Sequence, residues 1–194
     1  MASDSSKIVL NAIMWLFLLL LFGAISNQYY GIDSVIKIHK INLDEPEALN
    51  QLGKFAQSSS GLTIPDNNSK KLYDSMSVKV LTKNQIEEKI CGGRGKCDGR
   101  NVAGYLHGGS VIYLPQSCSD WRSSVICQSK IVHEIVHLLQ FINNKQKQVG
   151  DNYCNDMIRN EKQSLESQSK YLFSKGSIPG WSIDATIEQY RREC

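Results

Sequence analysis

The sequence predicts an α+β domain, a small and mostly antiparallel sheet packed against two or three helices. Three observations lead there. Short runs of alternating or β-rich residues lie in the first two thirds of the chain, a glycine hairpin signal joins two of them, and two long helical patterns follow. Setting aside a leader of 26 residues, roughly 168 of the 194 remain, the size of one domain with one core. Hydrophobic content of 41% and charged content of 21% exclude a disordered chain and a multi-span membrane protein.

Residues 8–25 (IVLNAIMWLFLLLLFGAI) are almost wholly apolar, follow Lys7 and end in small residues at Ala24 and Ser26. This pattern is a signal peptide over residues 1–26, cleaved before Asn27, with a retained membrane anchor as the alternative. Either way residues 27–194 face an oxidising compartment, secreted or periplasmic. All six cysteines (Cys91, Cys97, Cys118, Cys127, Cys154, Cys194) follow the leader, as that placement requires. Spacing favours pairing Cys91 with Cys97, Cys118 with Cys127 and Cys154 with Cys194, one of fifteen arrangements. A cysteine zinc site is disfavoured because no CxxC pair occurs. The net charge of +3 is spread along the chain without a basic run, so nucleic acid is not an implied partner. A monomer is expected, with membrane contact only if the anchor is retained.

Residues 34–43 (SVIKIHKINL) alternate as a half-buried strand, with His39 on its polar side. Asp44 caps a helix with Glu45, Pro46 and Glu47 in its first turn, running to about Ala56. Residues 57–70 read as a polar loop containing a glycosylation sequon at Asn67. Residues 77–81 (SVKVL) form a strand, and Thr82 with Gln85 forms a capping box that opens a helix to Ile90. After the loop CGGRGKC, runs at 101–106 and 110–114 pair as a hairpin about His107, Gly108 and Gly109, and Pro115 ends the second. Residues 119–143 are helical, in one or two pieces, and a polar loop covers 144–151. A second long helix at 153–175 stops at Gly176, and Pro179-Gly180 precede a last helix at 182–192.

The chemistry lies in residues 131–140, IVHEIVHLLQ. His133 and His137 stand four apart, one helical turn from each other on one face, so both rings can reach one ion. Glu134 sits beside them, where a carboxylate can take a proton from metal-activated water and pass it to a leaving group. The remaining positions are apolar apart from Gln140. In such a helix two imidazoles and a carboxylate are costly unless something satisfies them, and coordination of Zn2+ does so. The competing reading is a pair of hydrogen-bonded core histidines beside an incidental glutamate.

Catalytic zinc takes three protein ligands and leaves a fourth position for water, so a third ligand is needed. No third histidine follows within residues 140–147. On the next helix Ile158, Leu165 and Leu172 mark an inward stripe. Glu161 falls within roughly 30° of its centre and Glu166 more than roughly 100° away. Glu161 therefore points inward, where a glutamate is costly unless it is paired or bound to metal.

HExxH followed by Asn160-Glu161-Lys162-Gln163-Ser164 resembles a minimal gluzincin, a zincin metallopeptidase in which the glutamate of an NExxA or NExxS pattern is the third zinc ligand, a resemblance that implies this role for Glu161. The stretches GYLHGGSVIYLP, IVHEIVHLLQ and EKQSLESQSKYL are similar to small uncharacterised bacterial exported proteins with a zincin-like core. This likeness spans roughly residues 105–176. It implies a zincin-like α+β fold with an HExxH helix and a following glutamate-bearing helix, and a zinc hydrolase acting on peptide or protein. It also implies that the strand at 111–114 borders the cleft, where an extended peptide adds to the sheet edge. Tyr153, Tyr171 and His107 are the candidates for stabilising the oxyanion. The chain departs from larger gluzincins in lacking a second domain, and no acidic residue directly follows Ser164, so groups supporting the histidines stay unassigned. A different class of function is a secreted, disulfide-stabilised binding module with a structural or vestigial zinc. An intact Glu134 argues against it, because a closed site gives that glutamate no task. A third reading, a membrane-anchored structural protein with a chance motif, predicts no bound metal.

Overall fold

The computed structural model describes residues 44–65, 68–90, 104–105, 110–143 and 153–193, all within the compact unit Asn42–Cys194. Helix α1 is Glu45–Ser60. Asp44 caps it by accepting the Glu47 N–H at 3.0 Å, and Glu45 and Glu47 favour the positive end of the helix dipole. Gly61, at φ 71°, ends α1 in the left-handed conformation and donates its N–H to the Gln57 carbonyl. Then come α2 (Ser69–Asp74), strand β1 (Ser77–Leu81) and α3 (Lys83–Ile90). Before α3, the Thr82 N–H donates to Gln85 Oε1 at 2.9 Å. Strands β2 (Gly104–Tyr105) and β3 (Val111–Pro115) precede a 3-10 turn (Gln116–Cys118). The rest of the fold is helices α4 (Val125–Ile142), α5 (Tyr153–Ser174) and α6 (Ile183–Glu193).

The expected α+β, zincin-like fold with a mostly antiparallel sheet is overturned. Helices hold 70% of the described residues, and the main strand pairing is parallel, β1 with β3 from Ser77↔Val111 to Leu81↔Pro115. Among the described residues only the two of β2 run antiparallel to β3. The reason is connectivity. Alternation shows which side chains of a strand are buried, but not its neighbour or direction, and here a helix separates β1 from β3, which lets the chain return parallel. Strand β3 is central in the order β1-β3-β2, so it is not the free edge expected to receive a peptide. On β1, the Val78 N–H donates to Glu45 Oε1 at 2.8 Å, and Arg122 holds the other Glu45 oxygen at 2.7 Å. A side chain thus satisfies a backbone donor that β3 does not reach.

Residues 57–60, expected in a loop, form the last turn of α1. Ser59 and Ser60 donate their hydroxyls to the Ala56 carbonyl at 3.3 and 2.6 Å, so residues that usually favour loops are accommodated within the helix. Residues 69–74, partly assigned to that loop, form α2. Helix α4 begins at Val125, where Ser124 accepts the Cys127 N–H. Outside the described residues lie the leader, the strand at 34–43 with His39, Asn67, the loop 91–97, His107 and Cys194.

Helix α4 is the centre of the core. Ile131, Val132, Ile135, Val136 and Leu139 are fully buried, in one cluster with Leu49, Leu52 and Ala56 of α1, Ile112 and Leu114 of β3, and Tyr171 of α5. Among the described residues only α4 is long and apolar enough to cross a membrane, and more than half of it is buried inside the protein, as in a core helix. A disulfide between Cys118 and Cys127, with Cα atoms 5.6 Å apart, ties the 3-10 turn to the first turn of α4. It is one of the pairs the spacing favoured. Cys154 is also disulfide-bonded.

Gly53 lies in α1 under the buried Tyr73 ring, whose hydroxyl donates to the Gly53 carbonyl at 3.2 Å. A Cβ there would overlap the Tyr73 ring. Alanine gains about 1 kcal/mol of helix propensity, whereas overpacking a rigid core costs about 1–3 kcal/mol. Gly53→Ala is therefore expected to destabilise by a net amount on the order of 1 kcal/mol. The effect would appear as a lower urea midpoint at unchanged slope. A stabilised variant would refute the close approach.

Candidate metal centre

The centre is built by two packed helices. On α4, residues four apart share a face, and the His133 and His137 Nε2 atoms lie 3.0 Å apart. From α5, Glu161 places Oε1 3.3 Å from His137 Nε2 and Oε2 3.5 Å from His133 Nε2. These three residues form a group that could hold a metal ion, their ligand atoms all within 4.8 Å of one another. Donors 2.0–2.1 Å from a tetrahedral ion stand about 3.3 Å from each other, and each histidine Nε2 has the other ring and one Glu161 oxygen at 3.0–3.5 Å. Glu161 Oε2 is buried and accepts no hydrogen bond, an expensive condition that coordination would relieve. The three side chains are 14%, 16% and 18% exposed, so the group is sunk yet reachable.

Charge is concentrated here. Burial opposes ionisation of Glu161, but the adjacent His137 and His133 outweigh it and hold the carboxyl well below its usual range. Burial likewise opposes charge on His137, yet the Glu161 carboxylate, with Glu134 and Gln140 adding to it, raises His137 to about 9. Glu134, buried one position from His133, is pushed up by burial, against the pull of His133 and His137. Lys130, one turn earlier, is lowered by burial, with Glu134 partly offsetting this.

Two glutamines that the sequence reading left without a role support the histidines. Gln140 is fully buried. Its Oε1 lies 2.9 Å from His137 Nδ1, and its Nε2 donates to the Asn160 carbonyl at 2.9 Å and to Gln163 Oε1 at 3.0 Å. Gln163 in turn donates to the Ser60 carbonyl at 2.9 Å. Ser164 Oγ, which donates to the Asn160 carbonyl, stands 3.4 Å from His137 Nδ1. The available clue was position: Gln140 falls three residues after His137 in the apolar last turns of the helix, where a buried amide needs partners. His133 Nδ1 is buried without a hydrogen-bond partner.

Of the oxyanion candidates, Tyr171 is committed elsewhere. Its hydroxyl donates to Gln128 Oε1 at 2.6 Å and its ring packs edge-on against Phe55. The Tyr153 side chain and His107 lie outside the described residues. Glu166 is half-buried and is not in the ligand group.

Fold and centre together define a mostly helical, disulfide-bonded domain carrying a His-His-Glu group able to hold a metal ion. Comparison with protein-family models, curated proteins and solved structures finds no match to this chain.

Proposed function

We propose that this chain is an exported zinc-dependent hydrolase, a small metallopeptidase. In this reading His133, His137 and Glu161 hold the metal and Glu134 is the general base. The observation that carries the proposal is the convergence of His133, His137 and Glu161, each offering one ligand atom, with all of these atoms within 4.8 Å of one another. Two imidazoles and one carboxylate favour zinc over magnesium or calcium, which select oxygen donors. Zinc bound there would supply Lewis-acid activation of water and of a substrate carbonyl. The chain's own residues do the rest. Glu161 compensates the cation's charge, and Glu134 accepts a proton at its carboxylate and returns it to the leaving amine. Burial raises Glu134 toward the pH at which a general base works best.

Three protein donors, among the described residues, are one short of a closed structural site, which favours an enzyme over a binding module. Peptide as substrate rests on the HExxH resemblance, since β3 is occupied on both sides by β1 and β2. Export rests on the apolar leader together with the Cys118–Cys127 disulfide. The test is metal analysis of the purified protein by mass spectrometry, followed by assay against a peptide library. About one zinc per chain is expected from a three-donor site, with peptide cleavage that a chelator abolishes and zinc restores. A folded protein that takes up no zinc would refute the proposal.

A further inference from the structure

We infer that Gln140 is a positioning residue that fixes the tautomer of His137, and that Gln163 acts through it; the inference rests on the metal reading above. The orientation of both amides follows from their outer partners. The Ser60 and Asn160 carbonyls can only accept, so the groups facing them, Gln163 Nε2 and Gln140 Nε2, are donors. Gln163 Oε1 then accepts from Gln140 Nε2, which leaves Gln140 Oε1 facing His137 Nδ1 at 2.9 Å. An oxygen there requires the proton on Nδ1. When metal loading takes the ring's second proton, it is therefore Nε2 that is left with a lone pair on the side of His133 Nε2 and Glu161, the geometry a metal ligand needs.

The chain of bonds is anchored on backbone at both ends, Ser60 in α1 and Asn160 in α5, while Gln140 and His137 belong to α4. Three helices therefore specify one tautomer. The Ser164 hydroxyl, its own proton given to the Asn160 carbonyl, presents a second lone pair toward Nδ1 and favours the same form. Without Gln140 the Nδ1–H would be a buried donor lacking its main acceptor, and the tautomer with hydrogen on Nε2, which blocks coordination, would gain population.

The test compares Gln140→Met, Gln163→Met and the double variant, since methionine keeps the volume and removes the amide. Zinc affinity is measured by competition with a chromophoric chelator, and the His137 Nδ1–H by NMR of zinc-loaded, 15N-histidine-labelled protein. The expected results are a slowly exchanging Nδ1–H in the native protein, lost in Gln140→Met, and zinc affinity lowered by about 10–100-fold in that variant. Gln163→Met should show a smaller loss, and the double variant one no larger than that of Gln140→Met alone. Unchanged zinc affinity in Gln140→Met, with only the melting temperature of the metal-free protein reduced, would overturn the inference and leave the metal site standing. Losses that simply add in the double variant would also overturn it. A native protein that binds no zinc overturns both this inference and the proposal beneath it. Should Gln140→Met not fold, Gln163→Met decides: native affinity and native Nδ1–H exchange there would overturn the relay.

Discussion

Glu134→Gln is expected to keep about one zinc per chain while lowering peptide hydrolysis by about 10²–10⁴-fold, the usual contribution of a positioned general base. The substitution is close to isosteric and leaves a polar group in a buried position, so packing around Ile131, Ile135 and Leu138 is preserved. What it removes is the ability to accept a proton. Glu134 lies outside the His133, His137 and Glu161 ligand group, so metal content should not follow activity down. The measurement is kcat/KM on a cleaved peptide beside metal content for the same preparation. Native activity in Glu134→Gln would place the base elsewhere. Loss of zinc together with activity would instead make Glu134 part of the metal's support.

Glu161→Ala should weaken zinc binding by more than the roughly 10–100-fold that a supporting residue costs, because it removes one of three donors and the only anionic one. It should also change how affinity depends on pH. In the metal-free protein the Glu161 carboxylate is the main group raising His137, which stands at about 9 against an ordinary 6.5. The stability contributed by that raised value is fully present below about 6.5 and is lost as pH rises through about 9. Glu161 itself is depressed, so its contribution is present above the ordinary carboxylate range and is lost on acidification. Zinc requires the neutral imidazole, so loading at pH 7 should release a proton from His137, and affinity should climb with pH until about 9. In Glu161→Ala the proton is held less tightly, and proton release at pH 7 should shrink along with the affinity. Calorimetric titration in buffers of differing ionisation enthalpy measures both. Unchanged zinc affinity would remove Glu161 from the ligand set.

The local devices were legible because each depends on a few neighbouring residues. The Asp44 cap, the Thr82–Gln85 box, the stop at Gly176 and the near-neighbour pair Cys118–Cys127 follow from short-range chemistry. The placement of His133 and His137 on one face follows from helical periodicity alone. Glu161 was reachable by the same periodicity, since its angle to the Ile158, Leu165 and Leu172 stripe selects it over Glu166.

Only the tertiary structure decided the direction of the sheet, the fate of its edges and the roles of Gln140 and Gln163. Parallel pairing of β1 with β3 depends on where an intervening helix returns the chain, and no strand's own alternation encodes that. The Ser60–Gln163–Gln140–His137 series joins residues 103 and 23 positions apart in its first two links, so neither α1, α4 nor α5 read alone assigns them a task. Periodicity within one helix determined which side chains face inward, whereas the docking of three helices determined what those side chains meet.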